Sequence, residues 1–149
     1  MYTIEEFDKL KTKILKYIMF KKRTEQEIKR KFSEEDSEML ADVIDHLKEI
    51  GYISDENYIE RAVAEFMNLN NLSLRELKYK LQTKGIKADM IEDYIYNHMD
   101  ELEEYEINSA KNIIIKKQNR MEEQKLIQSL LKKGYKTDSI KEAINQISE

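Results

Sequence analysis

Apolar residues recur every three or four positions along most of the chain, which is the spacing of helices that bury one face. The first such stripe covers residues 7–18, and another covers residues 40–50. Between them, Thr24 and Glu27 have the capping-box spacing, in which a hydroxyl and a carboxylate satisfy the first free amides of a helix. The first third of the chain therefore predicts three helices, of which the second is short.

The same pattern occurs twice more, which indicates an internal repeat. A shift of 49 residues aligns Thr24 with Ser73, and a second shift of 49 aligns Gly85 with Gly134. The third helix of the first unit aligns at a shift of 51, and the first helix of the last unit is less regular around residues 110–115. We therefore predict three units of three helices, in residues 1–53, 54–99 and 100–149.

Each of the three glycines has an aspartate four positions later, at Asp55, Asp89 and Asp138. Glycine supplies the left-handed residue that ends a helix. Ser, Thr or Asp side chains then cap the next helix. We interpret the glycines as helix ends, with caps at residues 54–55, 89 and 137–138, and assign them no role in phosphate binding.

The composition restricts the fold class. The 149 residues include three Gly and no Pro, Cys or Trp, whereas a β-sandwich or barrel needs turn residues every 8–12 positions or so. We predict an all-α protein whose helix–turn–helix-like repeats form an elongated, curved array, flexible near residues 52–55 and 97–101. The absence of Cys excludes disulfides and fits a reducing compartment. The N-terminus is acidic and no apolar run approaches a bilayer span, so we expect a cytoplasmic monomer without membrane contact.

No pattern of catalytic residues is present: the sequence lacks a Walker loop, a dinucleotide-binding fingerprint and an HExxH motif. The two histidines, His46 and His98, are too few for zinc, which needs three or four protein ligands, and we interpret both as structural. Acidic clusters at residues 89–93 and 100–106 indicate a solvated face or a docking face for a basic partner. We predict a protein that is not an enzyme and has no metal or cofactor.

The charges alternate along the chain. Five successive blocks carry net charges of +3 (residues 1–35), −7 (36–60), +4 (61–87), −8 (88–107) and +4 (108–149), within a total of −4. Cations concentrate at the start of, or along, the second helix of each unit. The candidate residues facing phosphate or a partner are Lys21, Lys22, Arg23, Lys29, Arg30, Arg75, Lys78, Lys80, Lys84, Lys87, Lys116, Lys117, Arg120, Lys132 and Lys133. Spaced patches of this kind suit binding along a polymer backbone, although ordinary solvated lysines are an alternative interpretation.

Residues 23–32, 44–58, 76–86 and 130–135 resemble the RecX family, and the resemblance extends over about residues 8–147. Its most specific part is the phrase Gly-Tyr-x-x-Asp-x-x-Tyr that begins at Gly51. The resemblance implies tandem three-helix units and a bacterial regulator of the RecA recombinase. Members of the family bind RecA and its filament on single-stranded DNA, lie along the filament groove, and generally inhibit strand exchange and ATP hydrolysis or promote disassembly.

Two departures from the family pattern affect the expected partner. Residues 68–72 are uncharged where relatives usually carry basic residues, and the whole chain is acidic, whereas many relatives are basic. Both departures favour binding to RecA itself, with only weak direct binding to nucleic acid. The alternatives are a helix–turn–helix module that binds DNA or associates with transcription, and a helical scaffold for another protein.

Overall fold

The computed structural model describes all residues 1–149 as nine helices without strands, which confirms the all-α prediction. None of the helices is long and apolar enough to cross a membrane. In chain order the helices are α1 (Ile4–Phe20), α2 (Glu25–Lys31), α3 (Ser37–Glu49), α4 (Asp55–Leu69), α5 (Leu74–Thr83), α6 (Ala88–Asn97), α7 (Met99–Lys117), α8 (Glu123–Lys133) and α9 (Thr137–Ser148).

Buried apolar residues form three clusters, one for each successive set of three helices. The cluster of α1, α2 and α3 also includes Ile53 from the connection that follows. The cluster of α4, α5 and α6 also includes Leu102 and Tyr105 from α7, and the third cluster lies among α7, α8 and α9. The division into units at residues 53 and 99 stays a prediction, which these clusters favour. Helix α7 contributes to two clusters.

Side-chain caps fix where the second helix begins in two of the sets. The hydroxyls of Thr24 and Ser73 each accept a hydrogen bond from the amide three residues later, and Glu27 and Glu76 complete the capping boxes. Both predicted second-helix starts are therefore confirmed, since this arrangement satisfies two otherwise free amides of each helix.

The glycine prediction is correct for helix ends and wrong for two of the caps. Gly51, Gly85 and Gly134 all have positive φ angles of 84°, 85° and 103°. However, Gly51 follows a third helix, while the other two follow second helices. At the starts of α6 and α9 the N-cap residues are Lys87 and Lys136, without a side-chain cap.

Hydrogen bonds of one kind connect neighbouring sets of helices at two equivalent places. We call these places the first joint and the second joint. At the first joint, Thr24 Oγ1 donates to the backbone oxygen of Lys84 over 2.6 Å. At the second joint, Ser73 Oγ donates to the backbone oxygen of Lys133 over 2.7 Å. The start of each second helix therefore lies against the end of the next second helix, and α2, α5 and α8 form a row.

A carboxylate from the following set completes each joint. At the first joint, the Glu25 amide donates to Asp55 Oδ1 over 2.9 Å. At the second joint, the Leu74 amide donates to Glu106 Oε2 over 2.8 Å. Each carboxylate thus lies at the first residue of a helix, where the backbone dipoles favour negative charge.

Close backbone approach is the third feature of the joints. A Cβ added at Gly85 would lie 2.4 Å from Gln26 Cβ, and one added at Gly134 would lie 2.6 Å from Arg75 Nε. A Cβ at Gly51 would meet nothing within 4 Å. Two of the three glycines therefore have a packing role that the sequence did not reveal.

The two joints differ in the covalent connection beside them. Helices α3 and α4 are separated by residues 50–54, whereas only His98 separates α6 from α7. Helix α7 consequently begins about two turns before Glu106, while Asp55 is the first residue of α4. The predicted flexibility of both connections stays a prediction.

Candidate functional site

Six of the candidate cations line the row of second helices, and we call this set the basic row. Its members belong to α2, α5 and α8 or to the residues that end α5 and α8, and all are exposed or half-buried. They are Arg30, Arg75, Lys80, Lys84, Lys132 and Lys133.

The basic row has a groove at the second joint. This groove has a volume of about 440 Å³, and four cations of the basic row line it together with Glu76 and the exposed ring of Tyr79. The Arg75 guanidinium donates to the backbone oxygen of Lys132 over 2.8 Å, which holds it against α8. The joint thus brings together an exposed aromatic ring and four cations from two helices.

The first joint presents fewer cations on the same row. Lys84 Nζ lies 4.0 Å from Glu27 Oε2. Arg30 follows Glu27 by three positions on α2 and therefore shares its face. Both positive side chains are exposed, so the basic row continues from the second joint to the first.

Other candidate cations have partners within the chain. Lys29 lies 3.0 Å from Glu25, and the guanidinium of Arg23 stacks 4.4 Å from the centre of the Tyr17 ring. Lys78 is half-buried and lies 2.8 Å from Glu92. These three residues have structural contacts that compete with binding to a partner.

The remaining candidate cations lie exposed outside the basic row. Lys21 and Lys22 follow α1, Lys87 precedes α6, and the other three lie at or after the end of α7. Those three are Lys116, Lys117 and Arg120.

An acidic surface lies around Tyr94, built from α4, α6 and α7. Burial raises the pKa of the Tyr94 hydroxyl on α6, and the carboxylates of Glu101 on α7 and Glu60 on α4 raise it further, so acids of two helices lie near this ring. The predicted acidic clusters are exposed with one exception. Glu106 is completely buried at the second joint, so assigning it to a solvated face was wrong.

The histidines make contacts within the chain. His98 Nδ1 lies 2.8 Å from the backbone oxygen of Tyr94, and its ring stacks on the Tyr94 ring with centroids 4.0 Å apart. His46 meets the Phe7 ring edge-on at 5.8 Å. No group of three or more His, Asp or Glu side chains is arranged to hold a metal ion.

Comparison with known proteins shows which proteins this chain resembles. No family model matches the chain. The regulatory protein RecX of Staphylococcus epidermidis is 30% identical over 99% of this chain and 58% of that protein. The regulatory protein RecX of Streptococcus agalactiae is 31% identical over 81% of this chain and 48% of that protein.

This similarity along most of the chain supports its assignment to the RecX family. The resemblance predicted from the sequence is therefore confirmed. The chain spans about half the length of the curated RecX relatives that it matches.

Two solved structures share the fold. A crystal structure of RecX from Lactobacillus salivarius covers 98% of this chain with a TM-score of 0.79 and 24% identity, and 99% of that chain is matched. A second crystal structure of a regulatory protein RecX covers 93% of this chain, with a TM-score of 0.74 and 23% identity over 73% of its own length. The helical array is thus the fold of other RecX structures.

Sequence reasoning identified the basic helices but missed the joints that place them in a row. The missing signal was the pair Asp55 and Glu106, which align at a shift of 51 as the third helices do. Glu106 lies in a run of acidic residues, and only its burial in the folded structure distinguishes it from them.

Proposed function

We propose that this chain is a cytoplasmic, monomeric regulator that binds RecA and its filament on single-stranded DNA and inhibits the recombinase and ATPase activities without catalysing a reaction. The observation that carries the proposal is the similarity to proteins named regulatory protein RecX along almost the whole chain. The same similarity is what supports RecA as the partner.

The basic row supports binding along a filament. Its cations recur at both joints, so one molecule offers phosphate contacts at intervals along its length. Such contacts release counterions and weaken steeply with added salt. Several weak contacts on one polymer reinforce each other through effective concentration.

The acidic surface supports contact with protein. The chain has a net charge of −4, which opposes tight binding to naked DNA. The carboxylates around Tyr94 instead suit a basic protein surface. Opposite potentials on the two surfaces would orient the molecule on a nucleoprotein filament.

The test is ATP hydrolysis by RecA on single-stranded DNA while this chain is added below one equivalent per RecA. We expect the rate to fall, while binding to the same DNA without RecA stays weak and salt-sensitive. An unchanged rate at a full equivalent, with filaments intact, would contradict the proposal. Preference for one duplex sequence over another at fixed salt would favour the helix–turn–helix alternative.

A matched pair of variants tests the basic row. Lys80→Glu combined with Lys132→Glu reverses two exposed charges on the row, and Lys9→Glu combined with Lys141→Glu reverses two exposed charges on α1 and α9. We expect the first pair to weaken filament binding by about tenfold or more at low salt and the second pair to change it little. Equal effects of the two pairs would remove the basic row from the proposal.

A further inference from the structure

The groove at the second joint holds an exposed tyrosine ring among positive charges. Three tyrosines have largely exposed rings, Tyr52 at 52%, Tyr79 at 66% and Tyr96 at 79%. Tyr52 and Tyr96 belong to residues 36–60 and 88–107, whose net charges are −7 and −8. Tyr79 belongs to a stretch with a net charge of +4, and it lines the groove together with four cations of the basic row. A ligand that combines a flat apolar surface with negative charge therefore fits Tyr79 better than the other two rings.

Both faces of the Tyr79 ring are free of stacking partners. The ring of Tyr17 carries the guanidinium of Arg23 at 4.4 Å from its centre, and the ring of Tyr94 stacks on His98 at 4.0 Å. No aromatic ring and no cation of the chain stacks on Tyr79 in this way. A flat ring of a ligand can therefore stack on Tyr79 without displacing a side chain.

The charges around the ring are partly held in place. Arg75 precedes Tyr79 by four positions and shares its face of α5, and its guanidinium is bound to the backbone oxygen of Lys132 at 2.8 Å. Glu76 is the one acid that lines the groove, and its Oε1 accepts the Ser73 amide over 3.0 Å. The lining side chains thus carry a net charge of +3. A cation that is already held in position loses less conformational freedom when it binds an anion.

We propose that Tyr79 stacks on a base of single-stranded nucleic acid, whose flanking phosphates contact the lysines of the groove. Those lysines are Lys80, Lys132 and Lys133. Aromatic rings between cations bind single strands with little sequence preference, because every base has a flat face. The bases of a duplex are stacked on their neighbours and do not offer this face.

The position of the ring along the row supports the same ligand. At a shift of 49, Tyr79 corresponds to Arg30 of the basic row, so the ring lies in line with the cations of both joints. The proposal rests on the role of the basic row in the proposed function. It adds that the row recognises the single strand itself, through a base as well as through phosphates.

The chain contains no tryptophan, so Tyr79→Trp places a single fluorescent reporter in the groove. The matched control is Tyr96→Trp, at the exposed ring on α6. The probes, at low salt, are an oligothymidylate of about 15 nucleotides, near the upper end of common site sizes, and a base-free deoxyribose phosphate strand of the same length. We expect the oligothymidylate to quench the emission of Tyr79→Trp and the base-free strand to change it little, because the quenching needs a base in contact with the indole ring.

Three results would overturn the proposal. The first is the absence of quenching by the oligothymidylate. The second is equal quenching by the base-free strand or by polyglutamate, which would assign the groove to anionic polymers in general. The third is equal quenching in the Tyr96→Trp control.

The affinity of the chain for labelled oligothymidylate, measured by fluorescence anisotropy, tests the ring separately. Tyr79→Ala is expected to weaken binding by about fivefold or more, whereas Tyr79→Phe keeps the ring and should stay within about twofold. Binding to a duplex of the same length should change by less than about twofold in Tyr79→Ala. A loss in Tyr79→Phe as large as that in Tyr79→Ala, or an equal loss for the duplex, would overturn the stacking role.

These measurements use the chain and DNA without RecA, so they separate the two proposals. Quenching at Tyr79→Trp together with an unchanged rate of ATP hydrolysis by RecA would support stacking and contradict the proposed function. A lowered rate without such quenching would support the proposed function and overturn stacking at Tyr79.

Discussion

The two joints share their hydrogen bonds but differ in burial. At the first joint, Asp55 is half-buried and accepts the amide of Glu25 alone. At the second joint, Glu106 is completely buried and accepts two amides, from Leu74 at 2.8 Å and from Lys136 at 3.0 Å. Water cannot replace a completely buried carboxylate as the hydrogen-bond acceptor. The stability of the second joint therefore depends more strongly on its carboxylate than that of the first joint does.

The surroundings of the joints extend this difference. The first joint has partly exposed ion pairs between Glu25 and lysines, which contribute little and weaken with salt. The second joint has hydrogen bonds from Ser109 and Asn112 of α7 to the backbone oxygens of Leu72 and Asn70. Local opening starts where buried contacts are fewest, and the first joint should therefore open before the second.

Removing the two carboxylates, one at a time, tests the difference between the joints most directly. Glu106→Ala leaves the buried amide of Leu74 and the part-buried amide of Lys136 unpaired, and is expected to lower the free energy of unfolding by about 2–4 kcal/mol. Asp55→Ala leaves one half-buried amide and should lower it by about 1 kcal/mol. Urea unfolding followed by circular dichroism gives both values. The control is Glu104→Ala, an exposed acid on the same helix as Glu106, which should change little. A loss for Asp55→Ala as large as that for Glu106→Ala would contradict the ranking.

Alanine at the glycines gives the next largest effects. Gly85→Ala combines a positive φ with a clash against Gln26 Cβ, and should cost about 2–3 kcal/mol. Gly134→Ala meets the side chain of Arg75, which can move aside in part, so a smaller loss is expected. Gly51→Ala has open space and only the φ penalty of about 1 kcal/mol. Thermal unfolding of the three variants checks this order, and equal losses would show that the close approaches have no energetic importance.

The smallest expected effect is the pH dependence at the first joint. Burial acts to raise the pKa of Glu25, but its hydrogen bonds with Lys48 and Lys29 outweigh burial and hold the pKa below the ordinary 4.5. A lowered pKa in the folded state means that the stabilisation is complete above pH 4.5 and is lost as the pH falls through the folded-state pKa.

Glu25→Gln removes this contribution, which is about 0.5 kcal/mol for an ion pair in contact with solvent. The difference in unfolding free energy between the original chain and the variant should therefore shrink at acid pH. Added salt should reduce the same difference near neutral pH. If the difference in unfolding free energy grows as the pH falls, the lowered pKa of Glu25 in the folded state is contradicted.

Helix positions followed from the sequence because apolar spacing and capping boxes act locally. Thr24 and Ser73 marked the starts of α2 and α5 from residues within one turn. The first helix of the third set looked irregular because α7 buries residues on two sides, with Leu102 in the second cluster and Ile114 in the third. A helix shared by two cores has no single apolar stripe, so periodicity alone cannot assign it.

The basic row was only partly predictable. The sequence showed where the cations lie along the chain, but ion pairs with neighbouring helices decide which of them are free to bind a partner. Lys78 differs from Lys80 because Glu92, on α6, lies 2.8 Å from Lys78. Such pairs depend on how helices pack, which local patterns do not encode.

Main-chain atoms supply one side of each hydrogen bond that connects the sets of helices. Lys84 and Lys133 contribute backbone oxygens, and Glu25 and Leu74 contribute backbone amides. These four hydrogen bonds consequently do not depend on which side chains stand at the four positions. Mutation can change the two lysines to any residue type without removing the acceptor, and among the amide donors only proline would abolish the bond. The array can therefore accumulate substitutions on its surface over generations while the spacing of its units stays the same.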